Sequence, residues 1–104
     1  MAWHPVLKLD DLAVGESRSV EADHEEILIC RVGPDAIYAV DDRCTHDDGP
    51  LGEGILDGHV VTCPRHGAQF DVTTGAVLKM PAPVGLATYG VRVVDGWVEV
   101  EVDG

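Results

Sequence analysis

The chain has 104 residues, 45% of them apolar and 25% charged, with aromatic residues at only 5%. That composition supports one domain around one modest core and excludes disorder as the main state. Asp plus Glu number 19 against 7 Lys plus Arg, a formal charge of -12, which makes nucleic acid and anionic lipid unfavourable partners and a basic protein a better one.

In chain order, Met1 to Asp10 lacks the basic and apolar regions of a signal peptide. No later run approaches the roughly 18 uninterrupted apolar residues of a membrane span, so a soluble cytoplasmic protein with no membrane contact is expected. Short strands are predicted at Pro5 to Leu9 and Arg18 to Ala22, with a single helical turn near Asp10 to Val14. Glu26 to Val32 is nearly all apolar or β-branched, which suits a central strand covered on both faces. Gly33-Pro34-Asp35 turns it toward a strand at Ala36 to Val40. Further runs follow at His59 to Cys63 and Gln69 to Val72. Met80-Pro81-Ala82-Pro83 is the stiffest loop, because each proline fixes φ and restrains the residue before it. At the end, Tyr89 to Val94 and Trp97 to Val102 are joined by Asp95-Gly96, a pair that supplies the positive φ angles of a two-residue hairpin. Val98, Val100 and Val102 alternate with Trp97, Glu99 and Glu101, the period of a half-buried strand. The fold class is all-β, with no internal repeat and no linker dividing the chain.

Three cysteines cannot all pair within one chain, which turns attention to metal ligands. Cys44-Thr45-His46 lies just beyond the strand ending near Val40, and Cys63-Pro64-Arg65-His66 ends another strand run. Each loop offers one soft thiolate and one borderline imidazole. The intervening segment, Asp47 to Thr62, carries Gly49-Pro50, Gly52, Gly54 and Asp57-Gly58, so it can bend back and bring the second pair beside the first. Gly67 lets the backbone pass close to a bound group, and Pro64 stiffens the loop. Two Cys and two His also satisfy tetrahedral zinc, although the usual finger order puts both cysteines before both histidines.

The Cys-x-His and Cys-x-x-His pairs at this separation resemble those of the Rieske proteins. The resemblance extends to Leu51, Glu53-Gly54, Leu56-Asp57-Gly58, Phe70, Thr74-Gly75, Pro81 and Thr88-Tyr89, and covers roughly residues 3–102. It is strongest to the small ferredoxins of aromatic-ring dioxygenases. It implies a small antiparallel β-sandwich, one domain over 1–104, with a cluster-binding part of two loops at about 41–83. It also implies one [2Fe-2S] cluster, with Cys44 and Cys63 on one iron and His46 and His66 on the other. Two ferric ions, two sulfides and two thiolates sum to zero charge, whereas four thiolates would leave minus two, so an electron enters the Rieske core more readily.

By the same resemblance the protein is no enzyme but a soluble, monomeric one-electron carrier between a flavin-containing reductase and a terminal ring-hydroxylating oxygenase. A small Rieske-like subunit of nitrite reductase and an accessory carrier for iron-sulfur cluster assembly are the alternatives. High-potential Rieske proteins carry two further cysteines where this chain has Gly49 and Arg65, and a serine and a tyrosine where it has Ala68 and Phe70. The missing hydroxyl donors imply a potential near the low end of the Rieske range.

The remaining candidates have plainer readings. Cys30 is expected to be a small buried hydrophobe. His4, His24 and His59 lack partners at ligand spacing and are read as surface or locally bonded residues, and Trp3, Trp97, Tyr38 and Tyr89 as core or rim packing. The acidic group Asp41, Asp42, Asp47, Asp48, Glu53 and Asp57 is balanced between a solvated face and a docking surface for basic partners. Pro81 and Pro83 are expected to shield the cluster, as the family's proline loop does.

Overall fold

The computed structural model describes residues 2–43, 51–52, 54–64, 67–79 and 85–102. Among the described residues ten strands form two antiparallel sheets, accompanied by one short helical turn. The larger holds six strands in the order β1 (Ala2–Lys8), β10 (Trp97–Val102), β9 (Thr88–Val94), β4 (Ile37–Asp41), β3 (Glu25–Arg31) and β2 (Ser17–Ala22). It curls until β1 and β2, its two edges, approach each other. The smaller sheet runs β5 (Ile55–Asp57), β6 (Val60–Thr62), β7 (Gln69–Asp71), β8 (Val77–Lys79).

The strand pattern explains how the sheets meet. Ile27, Leu28, Ile29 and Cys30 are all fully buried, as the apolar run in β3 predicts. Their alternation sends Ile27 and Ile29 to one side, where Leu7, Leu12, Ala39, Val98, Val100 and Val102 fill the inside of the curled sheet. It sends Leu28 and Cys30 to the other side, where Val40 joins Leu51, Val61, Phe70 and Val72. The second cluster glues the small sheet onto the large one. Phe70, the chain's one phenylalanine, is fully buried there, and burial of such a side chain stabilises by about 2 to 3 kcal/mol.

The hairpin turns follow local chemistry. Asp95 and Gly96 adopt φ of 51° and 80° and set the register Trp97↔Val94. An unforeseen turn of the same kind joins β2 to β3, with Asp23 at φ 49° and His24 at φ 67°, so His24 is a turn residue. Pro5 sits on the edge strand β1, where a missing N–H does least harm, and the pairing with β10 is irregular between Pro5 and Leu7. The turn expected near Asp10 is a short 3-10 helix, Leu9–Asp11. No described helix is long and apolar enough to cross a membrane.

The segment read as a bending connector between the two ligand pairs contains β5, and β8 was not foreseen either. Each has three residues, too few to show a period, and each forms because β6 or β7 offers it an edge. Gly54, just before β5, lies so close to the chain that an added Cβ would clash with the carbonyl oxygen of Thr62. Backbone cannot swing aside as a side chain can. Gly54→Ala is therefore expected to destabilise the protein by about 2 kcal/mol, seen as a lower denaturant midpoint with an unchanged slope.

Candidate metal centre

Cys63 follows β6 directly and is only 1% exposed, packed with Val61, Ala68 and Phe70. Its N–H donates to the Ala68 carbonyl at 2.8 Å, while the Gly67 N–H donates to the Cys63 carbonyl at 3.1 Å. These bonds close the β6–β7 hairpin into a short loop at whose start the thiol stands. Gly67 has φ of 77°, the left-handed region, and among the described residues a Cβ there would meet nothing within 4 Å. A buried thiol at the base of a tight loop suits a thiolate-ligated metal group. Cys44, His46 and His66 lie outside the described residues, and among the described ones no three His, Cys, Asp or Glu side chains gather as metal ligands. The donor set the sequence offers, two thiolates and two imidazoles, matches the mixed ligation of a Rieske cluster.

The bases of the loops are stapled by hydrogen bonds to one buried carboxylate and within the backbone. Asp42, two residues before Cys44, accepts the N–H groups of Leu51 and Gly52 on one oxygen, at 3.0 and 2.8 Å. The Gly54 N–H bonds the Leu51 carbonyl at 2.8 Å, and Gly54 in turn abuts Thr62, the residue before Cys63. The third segment, Met80, Pro81 and Pro83 included, lies outside the described residues, but its exit is fixed. Leu86 N–H donates to Gly75 at 2.7 Å, and the Asp41 N–H donates to Ala87 at 2.9 Å. Side chains at Gly75 or Gly85 would collide with backbone across this contact. The described residues that flank these three segments are thus tied into one hydrogen-bonded frame.

The acidic group needs a correction. Asp42 is 5% exposed and cannot serve as a docking charge; it is part of the frame. Continuing the β4 alternation from Val40 to Asp42 places both on the small-sheet side, a signal present in the sequence but masked by the residue's charge. Asp41 accepts the Tyr89 hydroxyl. Burial first, and then that bond to Asp41, push the Tyr89 phenol above its usual range. Asp57 is exposed, and Asp47, Asp48 and Glu53 lie outside the described residues, as do Gly49 and Arg65.

Most of the plainer candidates fall where their chemistry puts them; His4 departs from its reading as a surface or locally bonded residue, since its Nε2 is buried with no hydrogen-bond partner among the described residues. Cys30 is fully buried and its thiol is pushed up to about 12, by desolvation first and then by the nearby Asp42 charge. His59 is exposed, its Nδ1 3.4 Å from Asp71. The Asp71 carboxyl is held below the usual range chiefly by hydrogen bonds from the Thr73 hydroxyl and N–H, with His59 a smaller influence. Trp3 and Trp97 lie at the rim under Arg92 and Lys8, and Tyr38 packs against the inter-sheet core.

Residues 2–90 match the family described as the Rieske [2Fe-2S] domain. The chain is 39% identical over 104 residues to the ferredoxin component of biphenyl 2,3-dioxygenase from Rhodococcus jostii (strain RHA1), covering 100% of this chain and 96% of that one. It is 35% identical to the anthranilate 1,2-dioxygenase ferredoxin subunit of Burkholderia cepacia, over 96% of this chain and 92% of the other. Among solved structures, a chain from the complex of reduced oxygenase and oxidized ferredoxin in carbazole 1,9a-dioxygenase superposes with a TM-score of 0.88 at 38% identity, covering 94% of this chain and 91% of that one.

Proposed function

The chain belongs to the Rieske [2Fe-2S] domain family, and from that premise we propose that it is the ferredoxin of a ring-hydroxylating dioxygenase system, taking one electron from a flavin-containing reductase to a terminal oxygenase. The observation that carries this reading is likeness to a dioxygenase ferredoxin along the entire chain, at 39% identity over 104 residues. A relative of this kind is also known in complex with its oxygenase. The same likeness favours this reading over a nitrite reductase small subunit or an accessory carrier for cluster assembly.

The protein carries electrons and transforms no substrate. In this reading Cys44 and Cys63 hold one iron and His46 and His66 the other, within one domain over 1–104 whose cluster-binding part spans about 41–83. When bound, the cluster supplies a single reversible electron. The chain's own contribution is to hold the ligands still and exclude water from the inner side. Leu51, Ala68 and Phe70 are fully buried beside Cys63, and the stapled loop bases limit movement between oxidation states. The carrier acts as a monomer in the cytoplasm, and the acids in sequence around the first ligand pair, Asp47 and Asp48 among them, steer basic partners.

Stopped-flow mixing tests this. The protein as isolated should be red-brown, be reduced by a dioxygenase-system reductase, and be reoxidised by the partner oxygenase. Association should slow as ionic strength rises, with a flatter dependence in the Asp47→Asn, Asp48→Asn variant. A colourless protein holding stoichiometric zinc after anaerobic reconstitution would overturn the electron-carrier reading. Salt-independent kinetics would overturn the steering role alone.

A further inference from the structure

We propose that Asp42 is the positioning residue of the first ligand loop, tying together the two ends of the stretch that carries Cys44 and His46; this rests on those residues being ligands, as argued above. Asp42 marks the entry to that stretch, and Leu51 and Gly52 mark its exit. One oxygen, Oδ1, accepts both exit N–H groups, at 3.0 Å from Leu51 and 2.8 Å from Gly52. Consecutive backbone N–H groups aimed at one acceptor fix the direction of the chain as well as its position.

The acceptor itself is held. The Asp42 N–H donates to the Glu26 carbonyl at 3.0 Å, and the N–H of Asp41 is taken by Ala87, so the backbone entering the loop is fixed to both β3 and the strand pair behind it. The side chain is 5% exposed, and a carboxylate taken out of water is tolerated only where hydrogen bonds replace its hydration. Gly52 makes the arrangement possible from the other side. A Cβ there would clash with the Ser19 hydroxyl of β2 and come within 3.5 Å of Asp42 Oδ1. Leu51 is fully buried in the inter-sheet core, so the exit of the loop is anchored at its side chain and tied at its N–H. One carboxylate thus ties the residue that enters the stretch to the two that leave it.

Two variants separate this role from general stability. Asp42→Ala removes the acceptor, whereas Asp42→Asn keeps an oxygen at the same place able to accept both N–H groups. With cluster-loaded protein and a mild iron chelator, the visible absorbance of Asp42→Ala should bleach about tenfold faster than wild type, and its reduced-state EPR lines should broaden. Asp42→Asn should bleach within about twofold of wild type and keep its line shape, rescue by the shared acceptor. Fluorescence of Trp3 and Trp97, which sit on β1 and β10 of the large sheet, reports unfolding of that sheet in the same samples.

Wild-type bleaching by Asp42→Ala would overturn the proposal. So would equal bleaching by both variants, which would assign the effect to charge, or bleaching that only keeps pace with unfolding of the large sheet. A wild-type protein that binds no iron would instead overturn the ligand assignment on which the proposal rests.

Discussion

Cys63→Ser is expected to yield a folded, colourless protein, with the iron, the acid-labile sulfide and the visible spectrum all lost. A serine hydroxyl titrates far above neutral pH and is a hard donor, so it replaces neither the charge nor the softness of the thiolate. The loss should fall on the cluster rather than the fold. The hairpin around Cys63 is closed by backbone bonds to Ala68 and Gly67 that the substitution leaves in place, and Val61, Phe70 and Val72 hold the small sheet to the large one. Cys44→Ser should behave alike. Cys30→Ala is the control: it is expected to keep the colour and to lose only a modest part of the stability, on the order of 1 kcal/mol, for a small volume removed from a tight core. Iron and sulfide assays, with far-ultraviolet circular dichroism beside them, decide it. A coloured Cys63→Ser protein, or a colourless Cys30→Ala protein, would reassign the ligands. Because the cluster organises both loops, the colourless variants should also unfold at a lower temperature than the loaded wild type while keeping their β signal.

Much of this arrangement is legible in the residues because the strong signals are short-range. The Asp95-Gly96 turn and the valine alternation of β10 fix a hairpin and its register, and the apolar run of β3 declares a strand buried on both faces. The candidate ligand pairs stand out for a different reason: thiolate and imidazole at fixed spacing have few other uses. Less visible are the features that depend on what lies across space. β5 and β8 are too short to carry a period and exist through their neighbours' edges. Gly54 reads as part of a bend and Gly75 only as part of the family resemblance, yet both make a close approach to backbone, that of Thr62 and of Leu86. Asp42 reads as one more acid on an acidic face because its charge is a louder signal than its place in the β4 alternation. Its burial becomes plain only when the N–H groups of Leu51 and Gly52 are seen pointing at it.

The double variant Ala68→Ser, Phe70→Tyr is expected to raise the midpoint potential by on the order of 100 mV from a wild-type value near the low end of the Rieske range, about -150 mV. Residues 68, 70 and 72 are all buried, so they share the inward face of β7 and its approach, and Ala68 stands opposite Cys63 through the hydrogen bond to its N–H. Each hydroxyl that reaches a sulfur bonds more strongly to the reduced, more negative form and so favours electron uptake. For one electron, about 59 mV is a tenfold change in the equilibrium, so the expected rise is well outside measurement error. Stability provides the second reading. Phe70 is fully buried, and a tyrosine hydroxyl there that found no acceptor would cost about 1 to 3 kcal/mol. A risen potential with stability preserved means the hydroxyls have found acceptors at the cluster. An unchanged potential with a lower unfolding midpoint means they are stranded in the inter-sheet core, and that these two positions do not set the potential. A wild-type midpoint above about +100 mV at neutral pH would contradict the account more directly, because it would hand control of the potential to backbone N–H donors and solvent exclusion instead of to the two side chains absent here.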